Sequence, residues 1–155
     1  VKREPDPTRR EVRTAARLLL LDPACRILLF LHADGHGRKF WATPGGGLEE
    51  GESLEGAARR EAAEELGSAD VELTYLWTGR SEFRFADREV TQTEAFFLVR
   101  GHSGVLGPEV KETHRRERIL EARWWSLAEI ESCQEAMFPV DLAARVREHA
   151  LKRNR

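Results

Sequence analysis

Between Gly45 and Gly67 the chain reads GGGLEEGESLEGAARREAAEELG, three consecutive glycines followed by seven carboxylates within 23 residues. Glu61, Glu64 and Glu65 are spaced so that an α-helix would gather them. At about 100° per residue, Glu64 falls near −60° and Glu65 near +40° relative to Glu61, so the three share one face. Like charges at these spacings destabilise an isolated helix by about 0.2–0.5 kcal/mol per pair. Arg60, four residues before Glu64, can offset one carboxylate but not three. A hard divalent cation, Mg²⁺ or Mn²⁺, offsets all three, because such ions prefer carboxylate, carbonyl and water oxygens. Waters kept on the ion leave room for phosphate oxygens, and metal-assisted attack of water on a phosphoryl group is the reaction class that follows.

The glycines fit the same chemistry. Without Cβ atoms, Gly45-Gly46-Gly47 lets the backbone approach a ligand closely, and a backbone carbonyl there can complete a metal shell. Glu52, eight residues before Arg60, can hold that arginine from the loop side. Taken alone, an acidic, alanine-rich helix is more often a solvated face with i,i+4 pairs. The glycine run at a fixed distance shifts the balance.

These groups need elements to position them. Thr14–Leu21 and Arg26–Leu31 are apolar runs around the turn Asp22-Pro23-Ala24-Cys25, which predicts a β-hairpin. Phe40–Thr43 reads as a short strand ended by Pro44. Ser53 can cap a helix that runs to about Leu66 and stops at Gly67. Val71–Phe85 and Val90–Val99, joined at Asp87-Arg88, predict a longer hairpin, and Gly101–Arg118 reads as a polar loop. Ala122–Trp125 reads as a strand, Ser126 as the cap of a short helix, and Pro139–Lys152 as an amphipathic helix with Val140, Leu142, Ala143, Val146 and Leu151 apolar. The order implies an α/β (α+β) sandwich with a mixed sheet between helices. Residues 1–10 read as a flexible lead-in and 11–155 as a single domain.

The stretch resembles the Nudix box, G-x5-E-x7-R-E-U-x-E-E-x-G-U, with U a bulky aliphatic residue. Gly46, Glu52, Arg60, Glu61, Glu64, Glu65 and Gly67 occupy its fixed positions, while Ala62 and Ser68 stand where U is expected. The surrounding element order is similar to the Nudix-type α/β/α sandwich, as is EARWWSLAEI (Glu121–Ile130). The resemblance implies hydrolysis of a nucleoside diphosphate derivative with Mg²⁺ or Mn²⁺. It implies that Glu61, Glu64 and Glu65 bind metal with a carbonyl of Gly46 or Gly45. It further implies that Glu61 is a candidate base and that Arg60 and Glu52 form the supporting ion pair. Similar proteins often lend a ligand or base from the region of Glu109, Glu112 and Glu117. A nucleotide-sensing module without turnover is the alternative; such modules often have a degraded box, and this one keeps every charged position. An isomerase on the same fold would need a catalytic cysteine, and neither Cys25 nor Cys133 is well placed. Phe83-Arg84-Phe85 stands where ADP-ribose-cleaving relatives tend to carry proline, so the substrate is not legible.

Composition narrows the remaining classes. The chain has 155 residues and a net charge of −2, which does not favour a bulk polyanion partner, so nucleic acid is not expected, although capped RNA stays open as a substrate. No apolar run approaches the ~20 residues that span a bilayer, and two cysteines without metal-ligand spacing read as reduced thiols of a cytoplasmic protein. Arg38 and Lys39 are candidate phosphate contacts. The four tryptophans read as core rather than base platforms. Dimers are common among similar proteins, and a homodimer stays open.

Overall fold

The computed structural model describes residues 10–85, 88–100, 106 and 108–151. Apart from Arg10, the lead-in 1–10 lies outside them. The strands are β1 (Glu11–Leu20), β2 (Ile27–Ala33), β3 (Lys39–Ala42), β4 (Gly45–Gly47), β5 (Glu72–Phe85), β6 (Arg88–Arg100), β7 (Ile119–Trp125) and β8 (Met137–Phe138). The helices are α1 (Leu54–Glu61), α2 (Pro108–Arg116), α3 (Leu127–Ser132) and α4 (Leu142–Val146); α1 and α4 each continue into a five-residue π-helical turn, Ala62–Leu66 and Arg147–Leu151.

The strands divide into two mixed four-stranded sheets, ordered β4-β1-β6-β5 and β7-β2-β3-β8. β5 and β6 form the expected long hairpin, from Glu72↔Arg100 to Phe85↔Arg88. The first predicted hairpin is not one. β1 and β2 share only the bridge Leu21↔Ile27, because β4 and β6 occupy both edges of β1 while β3 and β7 occupy both edges of β2. The turn chemistry was right and the partner wrong: Asp22 Oδ1 accepts from the N–H groups of Ala24 and Arg26, and the chain then enters the other sheet.

Burial explains why both runs are continuously apolar. Leu19, Ile27, Leu29 and Leu31 enter one core with Trp77, Phe96, Trp41 and Trp125, covered by Ile130, Leu142 and Val146 of α3 and α4. Leu18, Leu20, Leu28 and Phe30 enter a second core, covered by Ala57, Ala58, Ala62 and Leu66 of α1 and its extension. Strands buried on both faces lose the alternating pattern. The C-terminal helix starts later than its sequence pattern suggests, and Val140 is exposed. Residues 108–116 form a helix rather than a loop. Among the described residues, Val110 and His114, one turn apart, are the ones it buries, too sparse a stripe to show as periodicity.

Ser53 caps α1 as expected, accepting from Gly56 N–H, and Gly67 ends the π-turn in the left-handed region at φ 79°. A Cβ on Gly67 would lie 2.8 Å from Val110 Cγ2, so this stop is also where α2 docks. Gly67→Ala should combine backbone strain with this clash and lower stability by about 1–3 kcal/mol, and Ser53→Ala by about 1 kcal/mol, both read from urea unfolding midpoints.

Candidate active site

Arg60 organises the site. Its guanidinium carries five N–H groups and spends all of them. Nε and Nη2 donate to the two carboxylate oxygens of Glu52, each at 2.9 Å. Nη2 also donates to the Gly47 carbonyl at 2.9 Å. Nη1 donates to Glu61 Oε1 at 2.9 Å and to Glu64 Oε2 at 3.3 Å. Arg60 thus ties the loop before α1, the glycine strand β4 and the helix itself. The bonds from Arg60 and from Glu49 N–H hold the Glu52 carboxyl below its ordinary range. Glu49 and Glu55 are exposed, as their positions off the pattern suggest.

The acidic face is arranged differently from an ideal helical wheel. Glu61 and Glu65 are buried at 6% and 3% exposure, while Glu64 remains partly open. The π-turn is the reason. A wider turn advances each residue by less than the α-helical 100°, so Glu65 swings back over Glu61 and Glu64 falls to the side. Glu65 Oε2 accepts from Gly45 N–H at 2.9 Å. Burial pushes the Glu65 carboxyl well up, the charge of Glu61 adds to this, and the Gly45 N–H opposes it. Glu61 is also raised, chiefly by burial, against the lowering effect of Arg60. The charge of Glu117, just beyond α2, raises both.

The glycine strand packs against this pair. A Cβ on Gly46 would meet Glu61 Oε1 at 2.5 Å, and one on Gly45, at φ 130°, would meet the Ala16 carbonyl at 2.2 Å. β4 pairs through Leu18 N–H to Pro44 and Leu48 N–H to Thr14, so antiparallel alternation turns Gly46 toward β1 and Gly45 outward. The outward Gly45 carbonyl accepts from Arg17 Nη1 at 3.1 Å, and Arg17 Nε pairs with Glu94 at 2.6 Å.

Other candidates are placed as follows. Glu112 is exposed on α2 beside Arg115 and is not brought to the carboxylates. Glu109 is the second residue of the same helix. Arg38 and Lys39 stand before and at the start of β3 and do not line the neighbouring cavity. Trp41, Trp77 and Trp125 are core residues. Sequence reasoning missed Arg17 and His114. His114 is buried, its Nε2 2.9 Å from the Glu65 carbonyl, so it satisfies an otherwise orphaned carbonyl at the helix end. A histidine 49 residues away leaves no sequence signal for such a contact.

The NUDIX domain model matches residues 11–146. The chain belongs to the NUDIX domain family. Its Nudix box is therefore the acidic helix, loop and glycine strand just described. Among curated proteins it is similar to the RNA pyrophosphohydrolase of Caulobacter vibrioides, 46% identical over 70 residues, covering 39% of this chain and 38% of that protein. It is also similar to the nucleoside triphosphatase NudI of an Enterobacter species, 41% identical over 64 residues, covering 38% and 45%. These matches span less than half of either relative. The crystal structure of a MutT protein from Methanosarcina mazei superposes with a TM-score of 0.63 at 17% identity, covering 94% of this chain and 98% of that one. The NUDIX domain of Shewanella oneidensis NrtR, in complex with ADP ribose, gives 0.60 at 20% identity, covering 91% and 88%. At these identities the superpositions show a shared fold.

Among the described residues, no three His, Cys, Asp or Glu side chains stand close enough to hold a metal as they lie. The carboxylates of the Nudix box face Arg60 and the Gly45 N–H instead. The donor set nonetheless suits a hard cation: two buried, mutually repelling carboxylates, with a third at their side, are groups a divalent ion would stabilise. No helix among the described residues is long and apolar enough to cross a membrane.

Two outcomes test the electrostatics. Arg60→Lys replaces a five-donor fork by a three-donor point charge and should lower stability by about 2 kcal/mol in chemical denaturation. Glu65 has a raised folded-state value, so ionising it opposes folding as pH rises above the ordinary carboxylate value of 4.5. Glu65→Gln should therefore stabilise the metal-free protein at pH 8, with the gain shrinking toward pH 4.5, measured as melting temperature against pH.

Proposed function

We propose that this chain hydrolyses a diphosphate linkage in a nucleoside diphosphate derivative, by attack of water on phosphorus at the Nudix-box carboxylates. The observation that carries the reading is the buried pair Glu61–Glu65, stacked by the π-turn against a strand of glycines. Burying two like charges side by side is costly, and a site that handles phosphates through a cation gives that arrangement a use.

Glu61, Glu64 and Glu65, with the outward carbonyl of Gly45 in preference to Gly46, would hold Mg²⁺ or Mn²⁺. Such an ion would neutralise bridging phosphates and lower the pKa of a bound water. The chain's own residues supply the rest. Arg60, braced by Glu52, fixes the rotamers of Glu61 and Glu64. Glu61 takes the proton of the attacking water, and burial already makes its carboxyl more ready to hold a proton than an exposed one. Glu117 contributes a further negative charge from beyond α2. Glycine at position 46 leaves room for the Glu61 carboxylate itself, which lies where a Cβ would be. The curated relatives named for pyrophosphohydrolase and nucleoside triphosphatase activity support this class of reaction. Cytoplasmic location fits such substrates.

With Mg²⁺ and a panel of nucleoside triphosphates, ADP-ribose, nucleotide sugars, dinucleoside polyphosphates and capped RNA, at least one should be turned over. Glu61→Gln and Glu64→Gln should each lower kcat by about 10²–10⁴. Unchanged turnover in both variants would remove the carboxylates from the mechanism. Tight nucleotide binding without turnover on any substrate would instead make the protein a nucleotide sensor.

A further inference from the structure

A cavity of about 780 Å³ opens beside the glycine strand, and no carboxylate is among the described residues that line it. Its walls come from both sheets. Arg13 and Arg17 of β1 and Gln92 of β6 stand on one side, and His32 of β2 and Phe40 of β3 on the other. Phe40 and Gln92 carry no charge. Burial together with the Arg17 charge lowers the His32 pKa to about 4, so its imidazole is neutral at pH 7. Arg13 is half-exposed and paired with Glu11. Arg17 is the cation that reaches inward: its side chain is 18% exposed and touches the glycine strand.

Arg17 differs from Arg60 in how its donors are used. Nε donates to Glu94 Oε2 at 2.6 Å; Glu94 is in register with Ala15, two residues from Arg17, so the two side chains share a face. Nη1 donates to the Gly45 carbonyl at 3.1 Å. Among the described residues the guanidinium makes no other hydrogen bond, so three of its five N–H groups, both of Nη2 included, have no partner. The carbonyl that Nη1 holds is a special one. Within a strand the N–H and carbonyl of one residue point to the same side, and Gly45 N–H is bound to Glu65 Oε2. The Gly45 carbonyl therefore opens on the side where the buried carboxylates lie. The charge of Arg17 reaches Glu65 as well, lowering its pKa against the effect of burial.

We propose that Arg17 is an exchangeable donor. In the metal-free protein it holds the Gly45 carbonyl; when a divalent cation takes that oxygen, the released Nη1 and the unpartnered Nη2 pass to a phosphate oxygen of the substrate. The assignment rests on the metal site of the hydrolase reading. It goes beyond that site by naming a residue outside the Nudix box that competes with the cation and then binds the substrate. Two cations at one carbonyl repel, so the metal and the guanidinium exclude each other there. Glu94 keeps Nε in both arrangements, so the guanidinium turns about a fixed point rather than leaving the wall. Metal and phosphate then favour each other's binding through Arg17, because each stabilises the arrangement the other needs.

The test reads binding and does not depend on turnover. Mn²⁺ is titrated into the full chain and followed by the electron paramagnetic resonance of the unbound ion. Methylenediphosphonate, a non-hydrolysable diphosphate, is titrated calorimetrically at saturating Mg²⁺. Arg17→Lys keeps the charge, but its Nζ ends one atom short of Nη1, so it can stay with Glu94 and cannot reach Gly45. This variant should bind Mn²⁺ about threefold to tenfold more tightly than wild type, and the diphosphonate about tenfold more weakly. Arg17→Gln should move both affinities in the same directions and further, because it removes the charge as well. A role through charge alone predicts wild-type affinities for Arg17→Lys. A role in holding the Gly45 carbonyl in place for the metal predicts weaker Mn²⁺ binding in both variants. Either result would overturn the proposal. Circular dichroism and melting curves establish that each variant is folded, and Arg17→Lys carries the test if Arg17→Gln is not. Failure of the metal reading looks different: Glu61→Gln and Glu64→Gln would then bind Mn²⁺ as wild type does, which would remove the metal from this site and the exchange with it.

Discussion

Everything at the site depends on the guanidinium of Arg60 having all five N–H groups engaged at once. Its partners belong to three pieces of chain, two of which the Gly45–Glu65 hydrogen bond joins a second time. Glu52 lies in a loop, Gly47 ends a three-residue strand, and Glu61 and Glu64 lie on the helix. A planar fork fixes direction as well as distance, which a point charge cannot do. The bidentate pair with Glu52 orients the fork and thereby sets where the remaining donors aim. The site is thus rigid because one side chain joins its parts, not because any one part is stiff.

That rigidity holds an arrangement that is unfavourable by itself. Glu61 and Glu65 are buried, and the charge of Glu61 adds to the resistance of Glu65 to ionising. Arg60 relieves Glu61, while Glu65 receives a backbone N–H and the charge of Arg17 at longer range. The π-turn makes the stacking possible, and two contacts maintain the turn. Gly67 ends it in a left-handed conformation, and His114 takes up the Glu65 carbonyl. Insertions of this kind recur at functional sites, because they redirect a side chain at the expense of local regularity. The helix end is accordingly fixed by a residue from α2, the same element that leads to Glu117. The position of the fourth acidic group and the geometry of the first two are therefore linked through one contact.

The box was legible in the sequence because its members lie within 23 residues and obey helical spacing, capping and glycine rules that are local. Ser53, Gly67 and the Glu52–Arg60 pair could all be read that way. Where the outcome hinged on which distant segment came alongside, the pattern was silent. Leu18–Leu21 and Ile27–Leu31 are apolar throughout because each strand feeds two cores, and such a run does not reveal its neighbour. The helix at 108–116 escaped because its buried face amounts to Val110 and His114. The cavity escaped for a stronger reason: its walls come from positions 13, 17, 32, 40 and 92, joined only by strand register.

The glycine strand is where these scales meet. Position 46 has no room for a side chain because Glu61 oxygen is already there, and position 45 has none because β1 is. Gly45 gives its N–H to Glu65 and its carbonyl to Arg17, and Gly47 gives its carbonyl to Arg60. The same residues form the floor of the cavity. A side chain introduced here would alter carboxylate placement, strand pairing and ligand access together, so the three effects cannot be tuned separately at these positions. The walls of the cavity differ from its floor in this respect, because His32, Phe40 and Gln92 make no hydrogen bond or ion pair with Arg60 or the buried carboxylates. A substitution on the walls therefore leaves the Arg60 network intact, whereas one in the glycine strand does not.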